Sequence, residues 1–311
     1  MRSDAARVIF FGSGEIAIPS FHRLISEGPR PLALVTQPDK PAGRHRELTP
    51  PPIKRVALEA GIPVLQPESA RDEAFLAELR ALAPDLIVVM AYGQILSKAL
   101  IAIPRIACIN LHGSLLPRHR GASCIQSVLE AGDRETGITV MHVAPKLDSG
   151  DIIHALATPI LQDDTGGSVH DRLAFVAADA LAAAIPGILG GTATRTPQDS
   201  ALSTYAPKLE RDDGRIDWTW DASRLARRIR AYDPWPGTWT SVDGGKRLKI
   251  FPAAAAAEST GGPGGVSVVE GQVRVACGSG HLILGEVQPD GSRRMPAADW
   301  VKGLRVLPVL R

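Results

Sequence analysis

Short apolar runs alternate with amphipathic stretches through the first half of the chain. Val8–Phe11, Leu32–Thr36, Pro63–Leu65, Leu86–Met90, Ala107–Leu111, Ile138–Val143 and Ile152–Thr158 each read as a strand. Between them, Ala70–Leu82 places Phe75, Leu79 and Leu82 at three- and four-residue spacing and stops before Pro84. A second, alanine-rich helix is expected from Ser168 to Ile185, closed by Pro186-Gly187 and packed across the sheet as the last element of its domain. Strand and helix in alternation predict an α/β fold, a Rossmann-like parallel sheet. From Gly190 to Pro207 the periodicity disappears into Gly, Thr, Ser and Pro, which predicts a linker. Beyond it come a short helix over Ala222–Arg230 and the runs Arg247–Phe251, Val266–Val269, Val273–Ala276 and Leu282–Val287, separated by Gly, Pro and Asp. They predict a small, mostly β domain of the OB-like barrel type. The expected division is therefore residues 1–189, a linker over 190–207, and residues 208–311.

Composition supports this picture. A length of 311 residues with 44% apolar and 22% charged positions suits two ordinary globular domains. No apolar run approaches the roughly 20 residues that span a bilayer. The first apolar run, Val8 to Phe11, is stopped by Gly12 too soon for a signal peptide, and a cytoplasmic protein without membrane contact is expected. Cys108, Cys124 and Cys277 are far apart and odd in number, so neither a disulfide framework nor a zinc site is expected. Net charge is +2 overall but unevenly placed: residues 1–189 hold 18 Lys+Arg and 20 Asp+Glu, the remainder 17 and 13. The basic excess lies in the second part, where it would suit a polyanion.

Gly12-Ser13-Gly14-Glu15-Ile16-Ala17 follows the first strand and has the form of a dinucleotide-binding turn. That fingerprint also needs an acidic residue at the end of the second strand, where Thr36-Gln37-Pro38 stands. A plain tight strand-to-helix turn is the expectation.

Chemistry concentrates in Cys108 to Arg118, a strand that ends in a Gly/Pro loop at the carboxyl edge of the sheet, where such folds place their ligands. Asn110 and His112 are two apart and share one side of the strand. An amide N–H that stabilises an oxyanion and an imidazole that exchanges protons near neutral pH suit acyl transfer. Asp148, in the loop Pro145–Gly150, is positioned to orient His112. Singly, each also has an ordinary reading as a cap, a structural histidine or a turn former.

Asn110-x-His112 with Ser114-Leu115-Leu116-Pro117, and Asp148 before Ser149-Gly150, resembles the signature of folate-dependent formyltransferases. The segments Thr36–Arg44, Ala91–Leu96, Arg118–Gly121, Ala131–Gly137, Tyr205–Leu209, Ile216–Trp218 and Pro234–Gly237 are similar in order and spacing to the methionyl-tRNA formyltransferases of that superfamily. Gly12-Ser13-Gly14 and Ser123-Cys124 depart from the usual Gly-Thr-Pro and Ala-Pro.

The resemblance implies that Asn110, His112 and Asp148 form the transfer site and that Ser114, Leu115, Leu116 and Pro117 line a folate pocket. It implies 10-formyltetrahydrofolate as formyl donor and charged initiator tRNA as partner, held by both domains including the basic C-terminal one; with an already activated donor and no ligand cluster no metal is expected, and a monomer is expected. Lys40, Arg44 and Arg46 lie in a loop too long for an ordinary βα turn, which suggests insertion toward the acceptor stem. An amino-sugar nucleotide N-formyltransferase would share the triad and the folate pocket but has less use for that loop.

Overall fold

The computed structural model describes residues 6–42, 46–242, 245–258 and 261–311. They form two compact units. One comprises the chain up to Gly121 with Glu135–Thr158 and His170–Tyr205; the other comprises Ala122–Arg134, Pro159–Val169 and Ala206–Arg311.

The first unit carries β1 (Val8–Gly12), β2 (Pro31–Val35), β3 (Lys40–Ala42), β4 (Glu47–Thr49), β5 (Val64–Leu65), β6 (Leu86–Met90), β7 (Ala107–His112), β8 (Arg120–Gly121), β9 (Glu135–His142) and β10 (Ile152–Pro159). Seven of these make one sheet in the order β10-β9-β7-β6-β1-β2-β5. Pairing is parallel from β5 through β7, whereas β9 runs antiparallel to β7, so the sheet is mixed rather than wholly parallel. The burial pattern explains the difference. Strands β1 and β6 are buried at every position, as strands covered on both faces must be, while β10 alternates as an edge strand with one wet face does. Around the sheet lie α1 (Ile18–Ser26), α2 (Pro52–Glu59), α3 (Glu73–Ala81) and α4 (Lys98–Ile101). Asp72 caps α3 by accepting the Phe75 N–H, and Phe75, Leu76 and Leu79 turn inward against Phe11 and Val89.

The alanine-rich helix departs from expectation at both ends. In chain order it follows α5 (Cys124–Ala131), and as α6 it runs from Gly166 to Leu189, straight through Pro186. Pro186 lacks an amide hydrogen but sits in the last turn, where Ile185 and Ile188 are buried, and their packing outweighs one absent hydrogen bond. With 24 residues and mean hydropathy 1.7 over its most apolar window, α6 is long and apolar enough to cross a membrane by length and composition alone. Half of that window is buried within the fold, and Asp179 on the helix pairs with Arg23 of α1 at 2.8 Å. This is the pattern of a core helix.

The segment read as a linker is ordered. Thr196 exchanges two main-chain hydrogen bonds with Ile152, and Ser200–Leu202 form a short 3-10 turn capped by Asp199. Its anchors are polar, so they leave no periodic apolar signal.

The second unit contains α5 and continues through β11 (Tyr205–Ala206), α7 (Ala222–Ala231), β12 (Thr238–Ser241), β13 (Arg247–Ile250), β14 (Ala253–Ala256), β15 (Val266–Val269), β16 (Gln272–Ala276), β17 (His281–Leu284), β18 (Glu286–Pro289), β19 (Met295–Pro296) and α8 (Ala297–Lys302). Two four-stranded antiparallel sheets, β12-β13-β18-β19 and β14-β17-β16-β15, share a core of Trp218, Leu225, Ile229, Leu248, Val275 and Trp300. The expected strand Leu282–Val287 divides at Gly285 into β17 and β18, which belong to different sheets, so this glycine turns the corner between them. Much of the basic excess is engaged within the unit. Arg228 pairs with Glu130 at 2.6 Å, Arg227 donates to the Glu130 carbonyl, Arg230 donates to the carbonyls of Gln162 and Asp164, and Arg224 stacks on Trp220.

Burial also fixes the cysteine chemistry. Cys108, Cys124 and Cys277 are buried and form no disulfide among the described residues, and burial raises the Cys108 thiol to about 12 and the Cys277 thiol to about 11. Native protein at pH 8 is expected to resist an alkylating reagent at all three positions and to take up three equivalents on denaturation. Rapid native labelling of Cys108, read by mass spectrometry, would contradict the packing of β7.

Candidate functional site

The turn after β1 is held by side chains of neighbouring strand ends. Ser13 Oγ accepts the Gln37 N–H at 3.0 Å and donates to the Tyr92 carbonyl at 3.2 Å, where Gln37 Nε2 also donates. Its hydroxyl thus knits the carboxyl ends of β1, β2 and β6 together.

Next to β6 lies the chemistry-bearing strand. In β7, Asn110 pairs in register with Val89 of β6 and Met141 of β9, and His112 pairs with Thr139. Asn110 is half-buried, and its side-chain amide makes no hydrogen bond among the described residues. His112 is 5% exposed and held at both ring nitrogens. Its Nε2 donates to the His119 carbonyl at 2.9 Å, and Nδ1 faces Asp148 Oδ2 at 3.6 Å, a charge contact rather than a formed hydrogen bond. With Nε2 donating to the His119 carbonyl, Nδ1 is the ring nitrogen turned toward the carboxylate. Asp148 Oδ2 also accepts the Gly121 N–H at 2.9 Å. Its backbone φ of +46° is unusual for a residue with a Cβ.

The loop after His112 is built from within. Ser114 is fully buried and its hydroxyl donates to the Arg118 carbonyl at 2.8 Å. Thr139 Oγ1 donates to the Ser114 carbonyl and accepts the Leu116 N–H. Ser114 and Leu116 therefore shape the loop, while Leu115 and Pro117 keep part of their surface accessible. The structure brings Asn110, His112 and Asp148 to one sheet edge with this loop beside them.

The long insertion after β2 forms a hairpin of β3 and β4, with Lys40 opposite Thr49. Lys40 is exposed, as is Arg46 at a φ of +53°; Arg44 lies outside the described residues. Asp39, at the base, accepts from Gln66 Nε2 at 2.7 Å and from Lys54 Nζ at 2.9 Å, and these two donors hold its carboxyl below the usual carboxylate range. The loop is thus anchored at its root, with Lys40 and Arg46 outside that anchor.

Sequence reasoning missed several residues that shape the site. Gln198 bridges Arg120 to the carbonyls of Asp148 and Gly150. Thr204 binds the main chain of His119 and Arg120. No local motif pointed to either, since both lie in the aperiodic stretch. Only the number of polar side chains there, too many for a plain connector, could have drawn notice.

Comparison with known proteins follows the same lines. Residues 6–185 match the formyl transferase family and residues 208–305 the formyl transferase C-terminal domain. The chain is 53% identical over 303 residues to a methionyl-tRNA formyltransferase of Akkermansia muciniphila, covering 96% of each. Among solved structures, an N-formyltransferase from Helicobacter canadensis, in complex with folinic acid and dTDP-3-aminofucose, superposes with a TM-score of 0.68 at 16% identity over 93% of this chain and 100% of that one. HypX from Aquifex aeolicus in complex with tetrahydrofolic acid gives 0.61 at 18% identity over 96% of this chain, which spans 47% of the length of HypX. At such identities these two structures speak for the fold alone. The match to both family domains, with a relative identical at more than half its positions, places the chain: it belongs to the formyl transferase family, among the methionyl-tRNA formyltransferases.

Proposed function

We propose that this chain transfers the formyl group of 10-formyltetrahydrofolate to the α-amino group of methionine carried by initiator tRNA. The observation that carries the reading is the meeting of Asn110, His112 and Asp148 at one sheet edge, in a chain whose relatives bear that name. In the reaction the uncharged amine attacks the formyl carbon, the carbonyl oxygen becomes an oxyanion, the bond from that carbon to the folate nitrogen breaks, and the proton lost by the amine is returned to that nitrogen. The unengaged amide of Asn110 fits the oxyanion. His112 fits the proton transfers: substrate replaces the His119 carbonyl at Nε2, exchanging one neutral acceptor for another, while Asp148 holds the ring from Nδ1. Leu115 and Pro117 offer apolar surface for the folate ring system, with Ser114 and Leu116 keeping the loop in shape.

Lys40, Arg44 and Arg46 bind the acceptor stem in this reading, and exposed cations of residues 208–311 add charge toward its phosphates. Alanine at both Arg44 and Arg46 is expected to raise KM for charged tRNA and to flatten its salt dependence by about 0.7–0.9 in log–log slope for each phosphate no longer neutralised. Folate affinity should stay put. Unchanged tRNA kinetics across a salt series would leave the hairpin as solvated surface. The reading itself is tested by offering purified protein and 10-formyltetrahydrofolate charged initiator tRNA beside an amino-sugar nucleotide. Formylation of the tRNA is expected, and preference for the sugar would overturn the substrate assignment.

A further inference from the structure

The aperiodic stretch from Thr194 to Thr204 crosses the two loops that hold His112. Gln198 is its centre. The Gln198 Oε1 atom accepts from Arg120 Nε at 3.0 Å and from Arg120 Nη2 at 2.7 Å, and Nε2 donates to the carbonyls of Asp148 at 3.0 Å and Gly150 at 2.8 Å. Both ends of the amide are engaged, and a flipped amide would set an acceptor against two carbonyls and donors against a guanidinium, so only one orientation satisfies the set. Arg120 is 5% exposed, which makes loss of its partner costly.

The groups so joined are those that aim the imidazole. Asp148 adopts its left-handed backbone where Gln198 holds its own carbonyl and that of Gly150, and a strained conformation persists only where its surroundings over-determine it. The Asp148 carboxylate receives the N–H of Gly121, next to Arg120. Thr204, a few residues on, accepts from the main-chain N–H of both His119 and Arg120, and the His119 carbonyl in turn receives His112 Nε2. One polar strap thus fixes the carboxylate at Nδ1 and the carbonyl at Nε2.

We infer that Gln198 is a positioning residue for formyl transfer: paired with Arg120, it holds the Asp148 main chain so that the carboxylate meets His112. The inference rests on the reading of Asn110, His112 and Asp148 as the transfer site. It extends the site to a residue 50 positions further along the chain than Asp148.

Two variants separate positioning from bracing. Gln198→Met removes donor and acceptor together. Gln198→Glu keeps an acceptor for Arg120 but turns a carboxylate toward two carbonyls, so it retains the brace and loses the hold on Asp148. Both are expected to lower kcat about 10- to 100-fold, as small displacements of catalytic groups do, with KM for tRNA and folate little changed. Both should also displace the pH–rate profile in the direction that Asp148→Asn does. Arg195→Ala removes an exposed ion pair between the same strap and Asp151 and should leave kcat and profile alone. Should Gln198→Met not fold, Gln198→Glu carries the test. Wild-type kcat in Gln198→Glu, or a fall in kcat with an unmoved pH profile, overturns the assignment. Loss of activity in Asp148→Asn beside full activity in both Gln198 variants would remove Gln198 only, whereas full activity in Asp148→Asn would remove the reading of the site.

Discussion

Replacing His112 with alanine is expected to lower turnover by about 10²–10⁴-fold while folate affinity stays near its starting value. The ring is 5% exposed and held between the His119 carbonyl and the Asp148 carboxylate, so its removal takes away the only imidazole of the triad without touching the accessible parts of Leu115 and Pro117. Asn110→Ala should cost about 10²–10³-fold by the loss of one oxyanion donor. Single-turnover kinetics beside equilibrium binding of folate separate chemistry from affinity. Near-normal transfer by either variant would strike that residue from the mechanism.

Gly150→Ala should be nearly as damaging, for a steric reason. A Cβ at that position would lie 1.7 Å from the His142 carbonyl oxygen, a distance no pair of such atoms tolerates, and the neighbour is main chain rather than a flexible side chain. Either the 146–150 loop or the end of β9 must move, at a cost of about 1–3 kcal/mol as overpacking. The move displaces Asp148, two residues away, and breaks the geometry in which Gln198 donates to the Gly150 carbonyl. Activity is expected to fall about 100-fold as the carboxylate leaves its place near His112. Thermal unfolding and kcat measured together check both parts. Unaltered activity would mean that the loop has room to shift without moving the carboxylate.

Much of the α/β fold was legible because strands covered on both faces are written as unbroken apolar runs. Leu86–Met90 is strand in both the sequence reading and the structure for that reason. Asn110 and His112 were legible from strand alternation, which assigns two residues to one side without any tertiary knowledge. Strand direction was not legible, since β9 carries the same apolar signal whether it runs with β7 or against it. Nor was β14: Ala253–Ala256 has no strand propensity and is a strand because β17 pairs with it along its whole length. Pro186 misled for a related reason, as burial of its neighbours carried α6 past a residue that usually ends a helix. The strap around Gln198 was invisible because hydrogen bonds between an amide, a guanidinium and main-chain carbonyls obey no sequence period.

Delivery of a formyl group to the free amine of methionyl-tRNA at the carboxyl end of β7 can be followed directly. It is tested most directly by single-turnover transfer of labelled formyl from 10-formyltetrahydrofolate, with charged initiator tRNA set beside the same tRNA whose methionine is N-acetylated. Label is expected on the amino group of the unblocked methionine and none on the blocked one, with a rate that collapses in His112→Ala. Label arriving at the same rate in that variant, or no label on methionine from active, folate-binding protein, would contradict it.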